Sequence, residues 1–336
     1  MRYSKRILKG LVIILASVLM ISYGIIGLQY GKIVSKKRNN TSGVEVLKVK
    51  NEDTNKIQKE YQAEKEDIIN ILIVGSDARE GDKKSRSDTI MIFSIDKVDN
   101  DIKLISIMRD TYAKIPGYSE QKINHAFAYG GAELLRKTVE NNFNIMIDKY
   151  VVLDFGAFKE IINIIGGIDV ELNENEIVDL NNCMYGLKEK DIVEVVNSGM
   201  NHLNGTQALA YARMRHTGKG IYDRGKRQRE IVGVTIEKSK KLSLFKYPSI
   251  AKVLLKSIET DVSVNEALKL SYMIYSFKDI NINQMFIPPK ELSNNVLLEH
   301  KGWIIDCDKP AVGKIINDFI YKDIEYNSEK NNNEVK

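Results

Sequence analysis

Hydrophobic positions along this chain fall into three regimes. Residues 10–31 carry no charge and are mostly Leu, Ile, Val, Ala and Met. About 20 such residues, at 1.5 Å each, span the apolar core of a bilayer. That stretch predicts one N-terminal transmembrane helix, with residues 1–9 as a short cytoplasmic segment. A cleaved signal peptide is the rival reading, because Ser22-Tyr23-Gly24 forms a weak small-x-small site. Residues 32–66 are polar and aperiodic and read as a linker or stalk. Residues 327–336 read as a disordered tail.

Between them, residues 67–326 show the rhythms of a folded domain. Short apolar runs at 68–76, 89–95 and 103–108 predict strands. Asp99-Asn100-Asp101 is a turn signal joining the last two into a hairpin. Residues 122–143 predict a helix, with Ile123, Phe127, Leu134 and Thr138 near one face. A strand at 150–154, a helix at 155–165 ended by Gly166-Gly167, and a strand at 168–172 follow. Helices are expected at 204–213, 224–242, 249–259, 264–277 and 310–321, and strands at 284–287 and 303–306. Strands interspersed with helices give a layered α/β domain with a central mixed β-sheet flanked by helices.

Composition adds little to the fold but narrows the chemistry. The net charge of +5 suits a membrane surface or an anionic polymer as well as nucleic acid. Aromatic residues do not interleave with the basic clusters, which disfavours single-stranded nucleic acid as a partner. Two cysteines, Cys183 and Cys307, leave room for one disulfide and no more. The chain lacks the HExxH, GxSxG and Walker motifs, and its four histidines show no ligand spacing.

Three polar clusters could carry chemistry. Asp77, Arg79 and Asp88 lie at the end of one expected strand and the start of the next. Pairing those strands would bring the two carboxylates together. Such a pair suits Mg²⁺ (or Mn²⁺), which keeps waters and takes phosphate oxygens; turn and cap roles are the alternative. Arg109-Asp110 ends the strand 103–108. Arg213 and Arg215 are two apart, so an extended chain would put both on one side. Arg224, Arg227, Gln228 and Ile231 follow a helical stripe, with Arg224 near the helix start, where an anion is favoured. Arginine is suited to bidentate phosphate recognition, and several converging arginines need a multivalent anion between them. Pyrophosphate meets that need; a solvated basic helix is the alternative.

The strings GSDAR, RSDT, SIMRDT, KINHAFAYGG, GGIDV, LNGTQALAYARMRH and DRGKRQRE, in this order over residues 68–240, resemble the motifs of the LytR-CpsA-Psr family. The resemblance implies transfer of a glycopolymer from a polyprenyl-pyrophosphate carrier to a peptidoglycan hydroxyl by an enzyme on the outer face of the membrane. It also implies an apolar pocket for the polyprenyl chain. Carried over by position, Asp77 and Asp88 match metal ligands, and Arg79, Arg109, Arg213, Arg215 and Arg224 match phosphate-binding arginines. Gln228 matches the glutamine of the RxxRQ string. Asp88, Arg109 and Asp110 are the candidate catalytic residues. Met108 stands where family members often carry proline. A hydrolase of lipid pyrophosphates, and a non-enzymatic binder of anionic wall polymer, are the competing functions.

Overall fold

The computed structural model describes residues 67–76, 87–187, 192–217, 221–242, 258–277 and 280–326, with a few single positions between 243 and 257. The expected membrane helix, the linker, the tail, Asp77 and Arg79 lie outside the described residues. Among the described residues no helix is long and apolar enough to cross a membrane.

Six strands form the central sheet. They are β1 (Ile68–Ser76), β2 (Ser87–Asp96), β3 (Asp101–Ile107), β6 (Lys149–Asp154), β9 (Ile258–Thr260) and β10 (Asn281–Ile287), in the order β10-β3-β2-β1-β6-β9. The sheet is mixed, as expected: β1/β2, β2/β3 and β6/β9 are antiparallel, while β1/β6 and β3/β10 are parallel. The hairpin β2–β3 forms at the predicted turn, where Asn100 takes φ 56°.

Alternation along the strands separates two cores. Leu72, Val74, Ile90, Ile92, Ile105 and Ile107 face one side, under α1 (Asn124–Phe143) and α7 (Lys309–Lys322). Ile71, Met91, Phe93, Ile102 and Leu104 face the other, under α5 (Ile221–Lys240) and α6 (Val264–Ser276). The α1 side is the drier: Phe143, Leu135 and Ile316 are fully buried. Truncating Phe143 to alanine would cost about 3–5 kcal/mol. A third core joins α2 (Phe155–Ile165), α3 (Glu174–Gly186), α4 (Gly205–Arg213), the ribbon β7 (Ile168–Leu172)/β8 (Gly199–Leu203) and the flank of α5. Here α4 presses so closely on α2 that a Cβ at Gly205 would lie 2.2 Å from the Lys159 carbonyl oxygen.

Several expectations need correction. Ile258 and Glu259 belong to strand β9 and not to a helix; with Thr260 they pair with the sheet edge at Val151–Leu153. The strand expected at 303–306 forms as β12 (Gly302–Cys307), which pairs with β11 (Ser293–Leu298) outside the central sheet. The helix α1 starts after the short ribbon β4 (Tyr112–Lys114)/β5 (Glu120–Lys122) and breaks at Gly130-Gly131. Helix α3 was not expected, because its apolar positions are diluted by Asn and Asp; Asn173 and Glu176 nonetheless form a capping box at its start. Cys183 and Cys307 are free thiols packed in different cores, and burial pushes each up to about 11.

Candidate active site

The site builds up at one edge of the central sheet, where β1, β3, β6 and β10 all end and β2 begins. In open α/β sheets, ligands gather outside such carboxyl ends. The β1/β2 ladder pairs Gly75 with Thr89 and then Ser76 with Ser87, which leaves Asp88 without a partner on β1. This is a β-bulge, and bulges re-aim side chains beside functional sites. Gly75 permits it: a Cβ there would come within 2.9 Å of the Thr89 Cβ. On the other side of β2, Met91 pairs with Ser106. Continued outward, that register sets Asp88 opposite Arg109.

The two form a salt bridge between Arg109 Nη1 and Asp88 Oδ1. Asp110 faces Arg109 Nε at 3.5 Å and Lys122 Nζ at 3.0 Å. Lys122 ends β5, so the small β4/β5 ribbon positions Asp110. Lys122 opens the string KINHAFAYGG, but its role beside Asp110 does not follow from the motif. The Asn124 backbone N–H donates to the Arg109 carbonyl oxygen at 3.3 Å.

Three more arginines converge from the helices. Asn204 and Gln207 form a capping box that starts α4, and Arg213 is its last residue. The period-two argument for Arg213 and Arg215 therefore fails, since one is helical. Fully buried Met214 turns the chain between them, with φ −52° and ψ 137°. The Arg213 guanidinium lies 4.7 Å above the ring of Phe155, the first residue of α2. Arg215 keeps an exposed surface. The protein around it still removes enough water, and Arg109 and Arg213 add enough like charge, to lower its pKa against the pull of Asp88 and Asp110.

Arg224, in the first turns of α5, is 6% exposed. Burial and then repulsion from Arg109 and Arg215 push its guanidinium down to about 10, with Asp88 and Asp110 only partly offsetting them. It makes no ion pair among the described residues. The helix N-terminus adds further positive potential. The structure thus brings Asp88, Arg109, Asp110, Arg215 and Arg224 within electrostatic reach of one another, and Arg213 within reach of Arg215.

The rest of the α5 stripe does not join them. Arg227, though it shares the stripe in sequence, turns to Glu176 at 3.3 Å and to Thr217 Oγ1 at 3.0 Å, and is internally neutralised. Gln228 donates through Nε2 to the Ala212 carbonyl oxygen at 3.3 Å, tying α5 to the end of α4. Arg229 is buried against Phe286 and donates to Gln284 Oε1 at 3.2 Å.

Of the two expected metal ligands, Asp88 is the one described. Its Oδ1 is taken by Arg109, and its other oxygen makes no bond among the described residues. The second Asp88 oxygen is a hard donor of the type that Mg²⁺ or Mn²⁺ takes, while the arginines beside it repel a cation that has no phosphate between them. Among the described residues no group of three His, Cys, Asp or Glu encloses an ion. A divalent cation at Asp88 would therefore draw its remaining shell from outside those residues.

Comparison with known proteins gives these arrangements a context. The LytR_cpsA_psr family model matches residues 33–316. The chain is 31% identical over 285 residues to the regulatory protein MsrR of Staphylococcus aureus (strain COL), covering 84% of this chain and 83% of MsrR. It is 31% identical over 292 residues to the polyisoprenyl-teichoic acid–peptidoglycan teichoic acid transferase TagT of Bacillus subtilis (strain 168), covering 84% and 88% of the two chains. A solved structure of TagT with bound octaprenyl pyrophosphate superposes with a TM-score of 0.58 at 25% identity, over 82% of this chain and 95% of that one.

Proposed function

This chain belongs to the LytR-CpsA-Psr family, and from that premise we propose that it transfers a glycopolymer from a polyprenyl-pyrophosphate carrier to a peptidoglycan hydroxyl. The observation that carries the reading is Arg224, buried among like charges and lacking an anionic partner within the described domain. A pyrophosphate supplies the missing charge. The relatives' names support the class of reaction, and TagT's bound lipid supports the carrier.

In this reading Arg109, Arg213, Arg215 and Arg224 hold the pyrophosphate oxygens, and Arg79 joins them. Asp110 and Lys122 keep Arg109 in place. An acceptor hydroxyl oxygen attacks the phosphorus that bears the glycan; a new P–O bond forms and the bridging P–O bond to the carrier breaks. Polyprenyl phosphate leaves, and the arginines stabilise the charge that grows on it. Asp88 or Asp110 takes the hydroxyl proton. Asp77 and Asp88 would hold Mg²⁺ (or Mn²⁺), which supplies Lewis-acid neutralisation of phosphate charge. The polyprenyl chain is assigned to the layer under α5 and α6, where Ile69, Ile73, Val232 and Leu270 are only partly buried. Residues 10–31 anchor the protein in one pass, with the domain outside the membrane. The polymer is a teichoic acid, capsule or another secondary wall polysaccharide.

The test is transfer by the purified full-length chain. A synthetic polyprenyl-pyrophosphate saccharide is incubated with peptidoglycan, with and without a chelator. Metal-dependent attachment of saccharide to peptidoglycan supports the reading. Free saccharide phosphate alone would make the protein a hydrolase. Binding of wall polymer with neither product would make it a non-enzymatic binder, a role in keeping with MsrR's description as a regulatory protein.

A further inference from the structure

Arg215 is the member of the arginine cluster with the least to hold it. Arg109 has Asp88 and Asp110, Arg213 ends α4 over the ring of Phe155, and Arg224 is buried in the first turns of α5. Arg215 lies beyond α4, in the stretch 214–217 that belongs to no helix or strand. Its side chain makes no hydrogen bond or ion pair among the described residues. Like-charged Arg109 and Arg213 push on it. A long, exposed side chain under such repulsion turns to solvent unless the backbone that carries it is fixed.

We propose that Asp179 of α3 fixes it: this buried carboxylate is a positioning residue that clamps the 214–217 stretch and so keeps Arg215 turned to the pyrophosphate. The assignment rests on the pyrophosphate reading above and names what holds one of its arginines in place.

The hydrogen bonds carry the first part of the argument. Asp179 is 4% exposed. Its Oδ2 accepts from the backbone N–H groups of His216 at 3.0 Å and Thr217 at 3.1 Å, and from Thr217 Oγ1 at 3.0 Å. Bonds to an ionised acceptor are about twice as strong as neutral ones. The His216 N–H belongs to the planar peptide that joins it to Arg215. Holding that peptide, and the next one as well, takes away the rotation by which Arg215 would swing out.

Packing carries the second part, independently of chain order. Cys183 lies one turn along α3 from Asp179, with its thiol 3.8 Å from Asp179 Oδ1. Burial and then Asp179 raise the pKa of that thiol, while Arg213 and Arg215 pull it down. The face of α3 that carries Asp179 therefore packs beside both arginines. Aspartate is also a poor residue for a helix interior. Its place in α3 is explained by the Oδ2 bonds, all of which leave the helix.

The experiment uses the full-length chain and two changes, Asp179→Ala and Asp179→Asn, the second of which keeps an acceptor oxygen. Each is made in the parent and in an Arg215→Met background. Two quantities are read: hydrogen exchange at the His216 and Thr217 amides, and affinity for a polyprenyl pyrophosphate. In the parent background Asp179→Ala should open both amides to exchange and weaken lipid affinity about tenfold, and Asp179→Asn should restore part of each. In the Arg215→Met background the same changes should still speed exchange but weaken affinity no further, because the two residues act as one unit. A carboxylate that merely supports the fold would cost the same factor in both backgrounds, and that result overturns the proposal. Unchanged exchange or unchanged affinity in Asp179→Ala overturns it as well. Should Asp179→Ala fail to fold, the Asp179→Asn cycle decides by the same comparison. A parent that binds no polyprenyl pyrophosphate, with both amides protected only while Asp179 is present, sinks the transferase reading and keeps the clamp.

Discussion

Arg224 and Arg227 are three residues apart on the same helix and are 6% and 4% exposed. Their surroundings nevertheless differ in kind. Arg227 meets a carboxylate, a hydroxyl and a backbone carbonyl, and lies 5.7 Å from the centre of the Tyr211 ring. Arg224 makes no ion pair among the described residues, and burial together with Arg109 and Arg215 outweighs the pull of Asp88 and Asp110 on its charge. Burial of a charge is tolerated when it is paired within the fold. Arg227 meets that condition in the folded chain alone. Arg224 does not, so its position is strained until an anion arrives. One arginine holds the fold and the other is held ready for a ligand.

The largest test of this contrast is Arg224→Met, which keeps the length and apolar stem but removes the charge. Transfer should fall by about 100- to 1000-fold, the usual effect of losing one preorganised charge-stabilising group. Thermal stability should stay level or rise, because a buried unpaired charge is relieved. The sign with pH follows from the lowered pKa. The unfolded chain binds the proton more tightly than the folded one, whose Arg224 is pushed down to about 10. The parent therefore gains stability as pH rises through about 10, and the variant's advantage shrinks there. A large fall in melting temperature for Arg224→Met would break the comparison.

Arg227→Met should show the opposite pattern. It strands Glu176 and Thr217, and hydrogen bonds to charged groups are worth about 1.5–3 kcal/mol each. A loss of about 2–3 kcal/mol is expected. At about 2–4 °C per kcal/mol for a domain of this size, calorimetry should show a fall of roughly 4–12 °C. Polyprenyl pyrophosphate affinity should change little. Equal loss of lipid binding in both variants would mean that the two arginines act as one site.

Glu176→Gln sharpens the same point from the partner's side. It leaves Arg227 buried with hydrogen-bonding groups but without a counter-charge, a state close to that of Arg224. The expected cost is about 1.5 kcal/mol, smaller than for Arg227→Met because the amide oxygen can still accept. A thermal shift of only a few degrees checks it, and no shift would show that the Glu176 charge is unimportant to Arg227.

How far the sequence reveals this division depends on which residues set it. The strands β1, β2 and β3 are legible because their apolar runs are bounded by clear turns, and the hairpin falls at Asp99-Asn100-Asp101 as expected. The α3 helix is not legible, since its apolar residues are sparse and its stability comes from a capping box and tertiary packing. That omission hides Glu176, the partner of Arg227. Without Glu176, Arg224 and Arg227 look alike on the helical stripe. Asp88 and Arg109 are 21 residues apart in sequence and meet through the hairpin register, so their pairing follows once β2 and β3 are aligned. The bulge that frees Asp88 depends on the approach of Gly75 to Thr89, which strand patterning does not encode.

The smallest test concerns Gln228, which the family motif places beside the phosphate-binding arginines and the structure places against the Ala212 carbonyl. If Gln228 acts by tying α5 to the end of α4, Gln228→Ala removes one neutral hydrogen bond of about 0.5–1.5 kcal/mol. The melting temperature should fall by roughly 1–6 °C, and transfer should fall by less than tenfold, through looser placement of Arg213 and Arg224. Gln228→Glu separates the roles further. A carboxylate cannot donate to the carbonyl, and it also adds a negative charge beside the cluster, so it should weaken polyprenyl pyrophosphate binding more than alanine does. Should Gln228→Ala instead abolish lipid binding with no thermal shift, the amide must leave Ala212 and contact the substrate, and the boundary between fold-holding and ligand-holding residues on α5 would move one residue past Arg227.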